Sequence, residues 1–166
     1  TLSTMHGCPA HEIEEIGKYL IEKKKLQTII KLNPTLLGAK DLRHILNNQL
    51  EWPVIVPDMA FDHDLKYIDA LSIIKNLEKA AKENKVHFGL KLTNTLEVNN
   101  QRNVFDEKEK MMYLSGRALH PLSINVAARL QTEFEGKLDI SFSGGIDAFN
   151  IAQVLDCGIQ PITVSS

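Results

Sequence analysis

The sequence predicts an α/β fold in which parallel strands alternate with helices, and three observations support that prediction. Short β-branched or apolar runs alternate with stretches whose apolar residues recur at the helical period of about 3.6. The clearest strands end in polar residues or glycine, as strands do at the ligand-binding edge of a parallel sheet. The chain has 166 residues, whereas a complete eight-stranded β/α barrel has roughly 250. We therefore expect one partial barrel domain at 1–166, a fragment of a larger protein.

The first predicted helix carries the strongest end signals. Pro9 suits the first helical position, and Ile13, Ile16 and Leu20 form one apolar stripe. Lysines at 23–25 lie near its end, where positive charge complements the helix dipole. From the start of the chain, the predicted elements are a short strand at 2–4, a helix at 9–25, a strand at 28–32, a helix at 40–50, an apolar run between two prolines at 54–56 and a long helix at 65–84.

The second half opens with the clearest strand, at 86–92, in which large apolar residues alternate with Gly89 and Lys91. The polar segment at 97–110 is predicted to be an exposed loop or lid. The remaining predicted elements are a helix from 119, a strand at 138–142, a helix that begins near 147 and stops at Gly158, and a final strand at 159–164.

The composition and charge of the chain exclude several classes of function. The net charge of -2 and scattered lysines argue against a nucleic-acid partner. No apolar run approaches the roughly 20 residues that span a bilayer, so we expect no membrane partner. Two cysteines, Cys8 and Cys157, cannot form a disulfide framework, and a reduced, cytoplasmic setting fits them best.

The polar strand ends predict a site for an anion. By strand alternation, Lys31 shares a face with Asn33, and Lys91 shares a face with Thr93. Two glycine-bearing turns, at 115–117 and 143–145, precede predicted helices, an arrangement that lets backbone N–H groups hold a phosphate. Asp147 is expected to cap the helix that follows the second turn.

Five segments carry a family resemblance. In the two glycine-bearing turns, and in the segments around Lys31 and Thr93, the chain resembles the FMN domains of dihydropyrimidine and dihydroorotate dehydrogenases. The closer likeness is to the selenate reductase subunit family. The chain resembles three runs of that family: Thr-Met-His-Gly-Cys-Pro, Lys-Leu-Asn-Pro-Thr-Leu-Leu-Gly and Gly-Leu-Lys-Leu-Thr-Asn-Thr. The segments lie at 4–9, 31–38, 89–95, 115–121 and 143–147.

The resemblance implies the C-terminal half of a TIM-type (β/α)8 barrel and a flavin-dependent oxidoreductase. FMN would transfer a hydride to or from an unsaturated small-molecule substrate, of which a heterocycle is one kind. Other domains or subunits of the parent enzyme would bring electrons from NAD(P)H through FAD and iron–sulfur clusters. Lys31 would reach the N1 and O2 edge of the flavin ring. The cofactor-binding residues that it implies are Lys31, Asn33, Lys91, Asn94, Thr95, Ser115, Gly116, Gly144, Gly145 and Ser165.

The chain also departs from the pyrimidine enzymes. Their proton-donating cysteine corresponds to Thr4, a poor general acid near neutral pH, while Cys8 lies four residues downstream. Cys8, His6 and Thr4 therefore stand as candidate catalytic residues, with Cys8 or His6 taking over the role unless the substrate needs no acid. An extra segment at about 38–64 and a second lumenal lysine, Lys91, also depart from the pattern.

Other interpretations stay open. The spacing of His6, Cys8 and His11 matches no structural zinc pattern, so no metal site is expected. The segment at 62–64 is expected to be a solvated turn, and Trp52 a core residue. A lyase-type barrel could use Lys91 as a Schiff base activated by Lys31. Alternatively, the domain could be structural with a vestigial flavin site. Exposed strand edges lead us to expect self-association of the fragment.

Overall fold

The computed structural model describes residues 1–4, 6–102 and 104–164, and its centre is a parallel sheet. Four strands form this sheet in the order β1–β2–β3–β6, and Ile162 adds one further parallel bridge beside Phe142 of β6. A separate antiparallel hairpin pairs β4 with β5. The strands are β1 (Leu2–Ser3), β2 (Thr28–Leu32), β3 (Phe88–Leu92), β4 (Leu96–Asn99), β5 (Met111–Leu114) and β6 (Ile140–Phe142).

Helices connect the parallel strands, as the sequence predicts. The predicted helices at 9–25 and 40–50 are confirmed, and each changes from α- to π-helical geometry partway along. Those π-helical turns are Tyr19–Lys23 and His44–Gln49. The α-helices are α1 (Ala10–Lys18), α2 (Ala39–Arg43), α3 (Asp58–His63), α4 (Tyr67–Asn84), α5 (His120–Glu133) and α6 (Ile151–Asp156).

The sheet has one apolar face against the helices and one polar face. Ile30, Leu90 and Phe142 alternate onto the helix-facing side and are almost fully buried. Gly17 lets α1 approach α4 closely, because a Cβ there would lie 2.8 Å from a methyl carbon of Leu77. The opposite face carries Lys31 and the residues beside it. Parallel strands with flanking helices confirm the predicted TIM-type α/β architecture.

Three local predictions need correction. The segment at 97–110 is not simply a loop, because β4 and β5 form a hairpin in which Leu96 pairs with Leu114. The helix predicted near Asp147 begins at Ile151, because the Asp147 carboxylate accepts the Phe149 N–H at 2.8 Å and closes a turn first. The predicted final strand is reduced to a single bridge at Ile162, flanked by backbone hydrogen bonds that join Gln160, Pro161 and Thr163 to β6.

Among the helices in the described part of the chain, none is both long and apolar enough to cross a bilayer.

Candidate functional site

A row of polar side chains crosses the exposed face of the sheet at its C-terminal edge. The strand registers place Ser3 beside Lys31, Lys31 beside Lys91, and Lys91 beside Ser141. Partners in register on a sheet point to the same face. Lys91 Nζ donates a hydrogen bond of 2.6 Å to Thr163 Oγ1 on the segment that follows β6. The row therefore runs from β1 to the final segment of the described chain.

The two lysines form an uncompensated positive site. Burial, and then the neighbouring charge of Lys91, lower the pKa of Lys31 below its ordinary value. Within residues 1–4, 6–102 and 104–164, no carboxylate forms an ion pair with either lysine. Two adjacent cations without a protein counter-charge favour an anionic ligand.

Asn94 ties together the ends of the first three parallel strands. Its side-chain nitrogen donates to the Thr4 carbonyl oxygen at 2.8 Å and to Asn33 Oδ1 at 2.7 Å. Its side-chain oxygen accepts from Ser3 Oγ at 3.0 Å. The structure thus brings Thr4, Lys31, Asn33 and Asn94 together, with the half-buried Thr95 next along the chain. In this arrangement the side-chain amide of Asn94 holds the strand ends together.

A His–Asp pair with a buried carboxylate lies at the same edge. His6 Nδ1 is 3.0 and 3.1 Å from the two carboxylate oxygens of Asp64, and Asp64 Oδ2 accepts from Thr35 Oγ1 at 2.7 Å. The expectation that 62–64 is a solvated turn is therefore wrong for Asp64, which is buried. Two hydrogen bonds replace the water that its charge requires. The ring of Tyr113, on β5, stacks on the imidazole at 5.6 Å between centroids.

The pair shifts both pKa values toward the charged forms. The hydrogen bond to Asp64 raises the pKa of His6; burial opposes this, while the charges of Asp64 and Glu97 and the nearby Thr95 carbonyl reinforce it. Burial would raise the pKa of Asp64, but the hydrogen bonds from His6 and Thr35 lower it below its ordinary value. His6 Nε2 is buried and makes no hydrogen bond to the described residues.

The other two candidate proton donors are placed differently. The Thr4 hydroxyl is buried and donates to the Lys31 carbonyl oxygen at 2.6 Å, so its proton is already engaged. Cys8 lies in the turn before α1, with its sulfur 4.0 Å from the carbonyl oxygen of Pro9. Burial, and then Glu12, raise the pKa of the Cys8 thiol.

The two glycine-bearing turns predicted to form an anion site lie against each other. A Cβ on Gly145 would lie 2.3 Å from the Gly116 carbonyl oxygen, and both glycines have positive φ angles. Arg117 Nε pairs with the Asp147 carboxylate at 2.7 Å across the junction. The N–H groups of Gly144 and Gly145 donate to no acceptor within the described ranges. Ser115 is exposed beside this junction, and the predicted Ser165 lies outside the described residues.

An apolar cleft of about 460 Å³ adjoins the turns. The β4–β5 hairpin forms one wall, and the half-buried Trp52, which also packs against the core, forms another. Tyr113 and Ser115 line it as well, so the cleft reaches both the His6 ring stack and the glycine turns.

The chain is similar in sequence to known proteins. The family model "Oxidoreductase YgfK, N-terminal TIM-barrel domain" matches residues 1–166. The chain belongs to this family. It is 51% identical over its full 166 residues to "Putative oxidoreductase YgfK" of Escherichia coli strain K12, and equally to that of Escherichia coli O157:H7. It spans about 16% of the length of these relatives.

Several site residues of this YgfK-family domain are not predicted by the sequence alone. Asp64 and Tyr113 reach His6 from positions 58 and 107 residues away, and no local pattern marks them. Thr163 contacts Lys91 from a segment predicted only as a strand. Ser123 was detectable in principle, since it is a polar residue next to the apolar stripe of α5. It is fully buried and lies 2.7 Å from Thr93 Oγ1.

Gly145→Ala is expected to force the two glycine turns apart. The added methyl group would meet backbone atoms of Gly116 and Arg117 at 2.3 and 2.8 Å, which cannot rotate away. Gly158→Ala is the matched control, because its φ is also positive but nothing lies within 4 Å. Urea unfolding of the 166-residue chain should show that Gly145→Ala loses about 1–3 kcal/mol more than the control. Equal losses would mean that the turns are not in contact.

Asp64→Asn is expected to destabilise the chain in a pH-dependent way. The raised pKa of His6 contributes stability that is fully present below pH 6.5 and is lost as the pH rises through the pKa of His6 in the folded state. The lowered pKa of Asp64 gives stability that is present above 3.8 and lost as pH falls. The loss of unfolding free energy should therefore be largest between those values, and should shrink both as pH falls through the folded-state pKa of Asp64 and as pH rises through that of His6.

The control for this measurement is Asp139→Asn, which breaks the exposed His87–Asp139 pair. Exposed pairs contribute little and are screened by salt, so its effect should be smaller throughout. Denaturant unfolding at a series of pH values gives both profiles. A flat profile for Asp64→Asn would contradict the buried ion pair.

Proposed function

We propose that this domain binds FMN at the C-terminal edge of its parallel strands and forms the hydride-transfer site of a larger oxidoreductase. The observation that carries the proposal is the Lys31–Lys91 pair, two adjacent cations without a protein carboxylate on the polar face of the sheet. The motif resemblance adds that the parent is of the selenate reductase subunit class. Electrons would come from NAD(P)H through FAD and iron–sulfur domains elsewhere in it.

The residues present fit FMN in two respects. FMN carries a phosphate, and its pyrimidine edge gains negative charge on reduction, so it needs positive groups or N–H donors at two separate places. The lysine pair can serve one of them. The N–H groups of Gly144 and Gly145 can serve the other, beside Gly116. When bound, FMN would supply hydride transfer to or from an unsaturated, heterocyclic substrate.

The strand ends are organised to hold these groups in place. Asn94 fixes the relative positions of the first three strand tips through its bonds to Thr4, Asn33 and Ser3. Thr163 holds the Lys91 ammonium at 2.6 Å, which leaves Lys31 as the lysine with no such partner among the described residues. We therefore assign Lys31 the contact with the flavin ring, and Lys91 the task of keeping the local potential positive.

The test is FMN binding to the full-length protein. Lys31→Met keeps the length of the side chain but removes its charge, and loss of a charge-assisted hydrogen bond should weaken FMN binding by about 10- to 100-fold. Lys79→Met, on the exposed face of α4, is the matched control and should bind FMN normally. The intact protein should purify yellow, or bind added FMN with a change in flavin fluorescence. A colourless protein that ignores added FMN would refute the proposal.

The lysine pair also supports a second candidate, a Schiff-base lyase. A lysine that is desolvated and lies next to another cation is the arrangement that produces a nucleophilic amine. The pKa of Lys31 is lowered by these two causes, so Lys31 has the environment that this chemistry needs, with Lys91 as the activating charge. Borohydride trapping of a carbonyl compound on either lysine, identified by peptide mass spectrometry, would favour this function.

A further inference from the structure

His6 lies at the edge of the sheet where the proposed cofactor would bind. It follows Thr4, whose N–H donates to the Lys31 carbonyl oxygen at 3.2 Å and whose own carbonyl accepts from Asn94. The backbone carbonyl of Thr95 is close enough to favour the charged imidazole. The imidazole is thus anchored near the ends of β1, β2 and β3.

The hydrogen bonds of His6 leave one ring nitrogen available. Nδ1 faces both carboxylate oxygens of Asp64, and the Asp64 side chain is only 2% exposed, so Nδ1 carries its proton toward that carboxylate. Nε2 is buried and makes no hydrogen bond of good geometry to the described residues, although the Thr95 carbonyl lies close to the ring. Buried polar atoms are nearly always paired, and an exception calls for an explanation. The nitrogen opposite an orienting carboxylate is the one that transfers protons in His–Asp pairs.

We propose that His6 donates the proton that accompanies hydride transfer at this site, and that Asp64 is the residue that positions His6 and keeps it charged. The proposal rests on the flavin-dependent function proposed above. It selects one of the three candidate donors, since the Thr4 hydroxyl is bonded to the Lys31 carbonyl and the Cys8 thiol lies against Pro9.

The proton balance of the step is simple. Reduction of a carbon–carbon double bond adds a hydride to one carbon, and this hydride derives from NAD(P)H through the flavin. The electron pair of the former π bond then forms a C–H bond with the proton on Nε2, while the N–H electron pair stays on the ring. His6 is left neutral and regains a proton from solvent. Asp64 remains ionised throughout.

The surroundings of His6 favour its charged form. Asp64 and Glu97 are the charged groups that act on it, and both are negative. Tyr113 covers one face of the ring as a stacked aromatic group, and Thr35 holds Asp64 from the other side of the pair. These negative groups therefore favour the imidazolium that a proton donor requires.

The experiment measures His6 in the full-length protein without relying on turnover. Hydrogen–deuterium exchange at the Cε1 carbon of each histidine, followed by mass spectrometry across a pH series, reports the pKa of that ring. We expect a midpoint above 6.5 for His6 in the wild type, and a lower one in Asp64→Asn. Asp139→Asn, which removes the partner of His87, should leave the His6 profile unchanged. Added FMN should slow exchange at His6 and leave His87 unaffected.

A kinetic arm tests proton donation directly. NADPH-dependent reduction of uracil, thymine and orotate is compared in the wild type, His6→Gln and His87→Gln. We expect His6→Gln to retain FMN and to lose about 100-fold or more of the reduction rate, while His87→Gln keeps the wild-type rate. An unchanged His6 profile in Asp64→Asn would overturn the proposal, as would a rate in His6→Gln equal to the wild-type rate on a pyrimidine that the wild type reduces. If FMN does not bind, the flavin function fails and the proton-donor role fails with it, whereas the exchange profiles still decide whether the His6–Asp64 pair exists.

Discussion

The in-register pairing of β2 with β3, which sets Lys31 beside Lys91, is the constraint on which the rest of the site depends. Like charges directly opposite on neighbouring strands are destabilising. A slip of one strand by one residue would separate the lysines only by turning one of them into the helix-covered core. Burial of Ile30 and Leu90 on the opposite face forbids that slip. The hydrophobic core therefore holds the two positive charges side by side, an arrangement that the sheet alone would avoid, and an anionic ligand would offset its cost.

Hydrogen bonds among the strand ends keep this charged edge in one arrangement. Asn94 bonds to residues of both β1 and the β2 end, and Ser143 N–H donates to the Leu92 carbonyl oxygen at 2.7 Å. Thr93 and Ser123 form a buried bond beneath the same edge. Such supporting contacts fix the geometry of a site before its ligand arrives. The polar tips thus act as scaffold as well as candidate ligand contacts, and Asn94 is the clearest case.

The parts of the fold that depend on local pattern could be predicted from the sequence. β2 and the glycine turns follow from β-branched runs and turn residues, and parallel topology accounts for their common edge. The position of Asp64 could not be predicted, because its burial depends on His6 and Thr35, which lie far from it in the sequence. The β4–β5 hairpin was missed because its strands of four residues are separated by a long polar connection. Tertiary partners decide such cases, and local propensity does not.

Two His–Asp pairs in one chain show how position in the fold decides their chemistry. His87 and Asp139 precede β3 and β6, at the N-terminal edge of the sheet, and are 48% and 71% exposed. Water screens the interaction between these exposed side chains. His6 and Asp64 lie at the C-terminal edge, where the carboxylate is buried and a third group, Thr35, completes its hydrogen bonds. The two pairs contain the same residue types, but only the pair at the C-terminal edge has a buried carboxylate with a third hydrogen-bonding partner. β/α barrels place their reactive groups at that edge, while the opposite edge serves stability.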